Sequence, residues 1–300
     1  MSFVLFSTDK LFNFLTNIFL TYSQPQISAT LQLLLFFFIA LFAFHPVNYT
    51  PEGYADWPEF FHMPVLMLML ITLLNDGTLI TIAYDYATAS DTPNKWNIPA
   101  LFVTSSVLGM VSCLSSLLVL FLLLDSHNPD GFFAKVGMSG VEYGQITTAI
   151  YLKVSVSDFL TLFSARTGPK WFWQVKPAPI LVVGGVTALT ISSILSIVWP
   201  ESSPDGIETE GLRSNMGVFV FIWLYCIFFW LVQDAAKVAA YKLMFKTNFN
   251  GINDTGEGCS CFVENIFHHA YCLANKTYSL YPSGVVGDIE LVEEKKTLTA

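Results

Sequence analysis

Met63–Ala87 reads MPVLMLMLITLLNDGTLITIAYDYA. An α-helix rises about 1.5 Å per residue, so it needs roughly 20 apolar residues to cross about 30 Å of hydrocarbon. This stretch is long and apolar enough to do so. Asp76 lies 13 residues after Met63, just beyond the middle of such a helix. An aspartate at that depth costs about 2.5–3.5 kcal/mol on insertion scales. It must be kept neutral, paired with a cation, or open to an internal water cavity. A carboxyl that alternates between two such states can take a proton from one side and release it to the other. Asn75 and Gly77 flank it. Glycine weakens a helix interior by about 1 kcal/mol relative to alanine, and Asn-Asp-Gly favours local turns. A break at bilayer depth is tolerated where it lines a cavity, and broken helices build ion sites in transporters. The competing readings are two short re-entrant segments divided at Asn75–Gly77, or an aspartate that caps a kink.

Five further runs of this kind surround it, giving predicted spans at 27–44, 63–83, 100–124, 143–163, 179–199 and 216–231. Tyr49, Trp57, Trp96, Tyr143, Trp171, Trp173 and Trp199 mark their ends, as interfacial aromatic belts do. Of the 300 residues, 53% are apolar and 12% charged, about half the charge of a soluble domain; the mean hydropathy is +0.55. The fold class is therefore an all-α membrane protein, a bundle of six transmembrane helices. A formal net charge of −9 argues against a nucleic-acid partner, which needs basic surface.

Short loops suggest an orientation. Arg166, Lys170 and Lys176 follow span four, and Lys237, Lys242 and Lys246 close span six. The loops after spans one, three and five hold only Lys135 and Arg213 against many acids. The positive-inside rule then places both ends of the six-helix block, and the loop holding Asp85, Asp91 and Lys95, in the cytoplasm. Residues 1–26 remain open between a seventh span, an interfacial helix and a start that is not native. Residues 27–246 form the membrane domain. Residues 247–300 are polar and read as a cytoplasmic tail.

Span four carries Lys153 and Asp158. Five residues apart, they point roughly 140° away from each other, so each is expected to meet a neighbouring helix. Lys153 is a candidate counter-ion of Asp76, or it snorkels or pairs within its own span. Asp234 and Lys237, spaced i, i+3, read as a helix-surface pair. His45 and His62 read as interfacial residues. Of five cysteines, Cys113 and Cys226 read as small hydrophobes. Cys259, Cys261, Cys272, His268 and His269 form only a weak metal pattern, and reduced thiols are the plainer reading. Asn48 heads a glycosylation sequon close to the membrane, and sequons at Asn253 and Asn275 fall in the tail. No nucleophile triad, phosphate loop or metalloprotease motif is present, and no metal or cofactor is expected on this chain.

LLNDGT at 73–78, AIYLKVSVSDFLTLFSAR at 149–166 and WLVQDAAKVAAYK at 230–242 resemble the plasma-membrane proton-exporting P-type ATPases of plants, fungi and protists. The resemblance runs over about 27–246, corresponding to the last six of the family's ten membrane helices. It implies that Asp76 is the membrane carboxylate that binds the transported proton, with Asn75 and Gly77 shaping the site. It also implies Mg-ATP as the cofactor of the complete pump, and the lipid bilayer, the proton and the remaining pump domains as partners.

Two departures stand out. Where these pumps carry an arginine facing the aspartate, this chain has Gln32. Lys153 replaces an uncharged polar residue, which suggests that a positive charge has moved from span one to span four. The DKTG and TGES motifs of the ATP chemistry are missing from this sequence. The chain is therefore expected to be a fragment, or a subunit that depends on another polypeptide, and not to hydrolyse ATP alone. Thr299 matches the penultimate threonine of the plant pumps' inhibitory tail, though the ending differs. The alternatives are a related pump for another cation, whose site would need about six oxygen ligands, and a non-catalytic scaffold or regulator derived from a pump.

Overall fold

A computed structural model describes residues 2–51, 57–82, 98–137, 140–202 and 206–249, with side chains from Tyr22 onward except that of Val136. Its helices are α1 (Ser2–Ala43), α2 (Val65–Ile82), α3 (Ile98–Leu124), a short α4 (Phe132–Val136), α5 (Tyr143–Ala165), α6 (Pro179–Val198) and α7 (Met216–Lys246). Among the described residues, six segments are long and apolar enough to cross a membrane: Tyr22–Ala43, Val65–Ile82, Ile98–His127, Tyr143–Ala165, Pro179–Val198 and Met216–Lys246. The chain is an all-α, multi-pass membrane bundle, and these spans coincide with those expected from hydropathy.

Three details differ from the sequence expectation. Residues 2–26 are neither a separate span nor a separate interfacial helix; they continue into the first span as one 42-residue helix, with Pro25 inside it. α7 runs 15 residues past the expected Leu231, with Gln233, Asp234, Lys237, Val238 and Met244 of the extension buried against the bundle. The helix α2 is not broken at Asn75–Gly77. Thr78 Oγ1 donates to Asn75 O at 2.7 Å and Thr81 Oγ1 to Thr78 O at 2.6 Å. Such back-bonding bends helices without interrupting them. The tail cysteines and histidines, the sequons at Asn253 and Asn275, the loop holding Asp85, and Thr299 all lie outside the described residues.

α5 is the axis of the bundle. It packs against α1, α2, α3, α6 and α7, and nearly all its side chains are buried. It is also the most polar of the spans. That ordering is expected in a membrane, where apolar faces lose nothing by meeting lipid and polar groups gather inside. The peripheral helices turn apolar stripes outward, such as Leu34, Phe38 and Phe42 on α1 and Val183, Ile194 and Val198 on α6.

Small residues set the close crossings. A Cβ on Gly109 of α3 would stand 2.9 Å from Ser28 O of α1. One on Gly184 would stand 2.8 Å from Thr81 of α2, and one on Gly185 would stand 2.8 Å from Phe163 of α5. At the Tyr143 end, the segment before α7 closes over α5. Gly144 admits the backbone of Thr209 and Glu210, and Gln145 Nε2 donates to Glu210 Oε1 at 2.9 Å and Ser214 Oγ at 3.0 Å. Glu142, just ahead of α5, is held above its ordinary value, first by partial burial and then by the neighbouring Glu210 carboxylate.

Candidate functional site

Asp76 sits near the middle of α2 and on its exposed side. Val65, Met69, Leu73 and Ile80 lie on the same side, each more than half exposed. Their spacing of three to four residues makes one continuous stripe. Asp76 is the one ionisable group on it. Among the described residues, no hydrogen bond or ion pair engages its carboxylate. Asn75 and Thr78 turn the other way and are buried against the bundle. Gly77 shares the exposed side, and a Cβ there would meet nothing within 4 Å. Within one turn, α2 therefore presents an acid outward and an amide inward.

The structure does not bring Lys153 to Asp76. Lys153 points toward α3, where its Nζ donates to Ser112 O at 3.0 Å and to Ser116 Oγ at 2.5 Å. It is 1% exposed. The geometric reason is that Asp76 occupies the side of α2 remote from α5. The suggested transfer of charge from span one to span four thus supplies no counter-ion here. Gln32, at the position where the pumps have arginine, is buried, and its Nε2 has no hydrogen-bond partner.

The pair Asp234–Lys237 is also not a surface feature. Both side chains are 0% exposed and lie 2.7 Å apart, because α7 crosses the turn leading from α5 to α6. Lys237 Nζ also donates to Ser164 O at 2.9 Å, Thr167 Oγ1 at 2.7 Å and Lys170 O at 2.9 Å. Asp234 accepts from Ser164 Oγ and from the backbone N–H of Phe172. A buried ion pair persists only when its remaining donors and acceptors are occupied. Here they are, and the cluster fastens three segments together.

Between these two sites runs a polar seam joining α3, α5 and α7. Ser112 Oγ meets Ser157 Oγ at 2.6 Å. Thr161 Oγ1 donates to Gln233 Oε1 at 3.0 Å, and Gln233 Nε2 donates to Leu108 O at 3.0 Å. The serines and threonines inside spans three and four were its only trace in the sequence, and hydropathy alone passes over them. Among the described residues, no three His, Cys, Asp or Glu side chains gather to hold a metal ion.

Comparison with known proteins now bears on the whole block. No family model matches the chain. It is 44% identical over 252 residues to the probable proton ATPase 1B of Leishmania donovani, and 43% identical over the same length to the probable proton ATPase 1A of that organism. The matched part covers 80% of this chain and 25% of each relative, so the chain spans about a quarter of the length of the curated relatives it matches. This sustained identity makes the chain a relative of proton ATPases over four fifths of its own length.

Proposed function

We propose that this chain is the proton-carrying membrane portion of an ATP-driven P-type pump of the plasma membrane, and that Asp76 binds and releases the transported proton. The observation that carries this reading is an unpaired carboxyl at mid-helix on an otherwise apolar, uncovered stripe of α2. Left against lipid, that group would cost several kcal/mol. In this reading the rest of a longer pump, which the relatives' length allows, packs over the stripe and encloses it.

The chemistry then follows from solvation. In a closed, dry setting the neutral acid is favoured, so the carboxyl holds its proton. When the enclosure opens to water, the carboxylate is stabilised, and the proton passes to a water molecule as hydronium. ATP chemistry elsewhere in the pump, with Mg-ATP bound there, drives the alternation between the two settings. Asn75 and Gly77 shape the site: the amide faces the bundle, and the glycine leaves room beside the acid. One central acid suits a proton better than a hard metal cation, which wants about six oxygen ligands.

The test uses the complete pump, reconstituted into vesicles, with ATP-driven acidification as the readout. Asp76→Asn keeps the shape but cannot exchange a proton, and it is expected to lose transport at wild-type protein yield. Asp76→Glu retains part of it. Wild-type acidification by Asp76→Asn would remove Asp76 from the mechanism.

A further inference from the structure

Asp158 is, like Asp234, a carboxyl buried in the bundle, but among the described residues it has no partner. It is 4% exposed, and neither of its oxygens has a hydrogen-bond partner. Tyr151, Ser155 and Asp158 follow at i, i+4 and i+7 of α5, which places them on one face. Leu162 continues that face and packs against Leu79 and Ile82 of α2 and Leu181 of α6. The phenol of Tyr151 approaches Ser155 and Ser192 of α6. Even so, Tyr151 Oη, Ser155 Oγ and Ser192 Oγ also lack partners. Three buried polar groups on one side of the central helix, and Ser192 of α6 facing them, lack partners, where each would cost about 1–3 kcal/mol if it stayed so.

The charged neighbours offer no remedy. On the same helix, Lys153 is near enough to act on Asp158 through space, but no ion pair joins them and its donors are directed at α3. α3 contributes Cys113. α7 contributes Cys226, the mutually paired Asp234 and Lys237, and Tyr225, whose hydroxyl donates to Ser115 O. Among ionisable groups, α2 offers only the outward Asp76, α6 offers none, and α1 from Tyr22 onward, where its side chains are described, offers only Tyr22. An ionised carboxylate at this depth would have only the unpaired attraction of Lys153 as compensation, whereas a protonated one needs only an acceptor. Water between it and the hydroxyls on its own face would supply that.

We propose that Asp158, with Tyr151, Ser155 and Ser192, forms a second proton-binding site inside the bundle, separate from Asp76. Its ligand is a proton exchanged through water held between these side chains: the acid gives its proton to water as hydronium and regains it in reverse. The site does not depend on Asp76 carrying the transported proton.

The test is infrared difference spectroscopy of the chain in lipid nanodiscs, with aspartate carrying a ¹³C-labelled carboxyl. The protonated C=O stretch is followed while pH is stepped. Wild type is expected to show a protonated-aspartate band that disappears at high pH and returns on reversal. That band is lost in Asp158→Asn and retained in Asp76→Asn. Should Asp158→Asn fail to fold, Asp158→Glu removes the labelled band and adds an unlabelled glutamic acid band with the same pH response. A band assigned to Asp158 that never changes with pH, or no protonated band at this position, overturns the proposal. Failure of Asp76→Asn to affect transport would leave this result standing, so the two readings fail separately.

Discussion

Asp234 and Asp158 are both aspartates buried in one helical bundle, yet their surroundings are opposites. Asp234 has a lysine at 2.7 Å, a serine hydroxyl and a backbone N–H. Asp158 has no partner on either oxygen. The first group is complete in itself and holds α7 to the turn between α5 and α6. The second is incomplete, and in a medium with little water an incomplete group must be neutral or hydrated. Full satisfaction marks architecture, while a missing partner marks a place where a proton or water has something to do. Asp76 is a third case, unpaired and exposed, its surroundings left to whatever covers α2.

The sharpest way to break this comparison is to empty the complete cluster. Lys237→Met leaves Asp234 buried without its cation, and removing one member of a buried pair costs about 3–5 kcal/mol. Thermal denaturation followed by size-exclusion chromatography should show a large fall in the midpoint. Adding Asp234→Asn to Lys237→Met should recover part of it, since the two side chains are coupled. If the single and double variants behaved like wild type, the cluster would not be structural.

A glycine pair sharpens the contrast between packed and open surfaces. Gly109→Val drives side-chain atoms into Ser28 O and Leu31, and overpacking of this kind costs about 1–3 kcal/mol. Gly77→Ala meets nothing, so in the isolated chain it should be neutral or stabilise α2 by up to about 1 kcal/mol. Loss of transport in the complete pump with Gly77→Ala, at unchanged stability, would show that the room beside Asp76 is needed for function.

The smallest effect concerns Glu142. Its folded-state value is raised above 4.5, by burial and then by Glu210. A raised acid binds protons more tightly when folded, so its unfavourable contribution is absent at low pH. That contribution grows as pH rises from 4.5 through the folded-state value, then stays constant. Glu142→Gln should therefore flatten the loss of stability across that window and give a slight gain at neutral pH, because the group is largely solvent-exposed. An unchanged pH profile would mean that neither burial nor Glu210 acts on it.

Much of this fold was legible in the sequence. The spans follow from hydropathy, because crossing the bilayer sets both length and composition. The sequence also singled out Asp76, since an acid between Leu74 and Leu79 is costly in a span unless it is neutral, paired or hydrated. What it did not convey is which side of each helix faces which neighbour. The i, i+3 spacing of Asp234 and Lys237 looks the same on a surface as in a core, and only the crossing of α7 over the turn after α5 separates the two. Lys153 was one candidate partner for Asp76, beside snorkelling or pairing within its own span, because both lie within predicted spans. Its true acceptors, Ser112 O and Ser116 Oγ, include a backbone carbonyl that carries no residue signature. The Asn75–Gly77 turn signal was outweighed by the helix around it, with the hydroxyls of Thr78 and Thr81 bonded back to the chain.

The central claim is that Asp76 becomes reachable by water in the working protein. The direct measurement replaces it with cysteine in the complete pump, with the native cysteines removed, and follows modification by a membrane-impermeant, water-borne thiol reagent. The account predicts modification whose rate changes between the ATP-bound and nucleotide-free states. Labelling only by lipid-soluble reagents, at a rate indifferent to nucleotide, would contradict it.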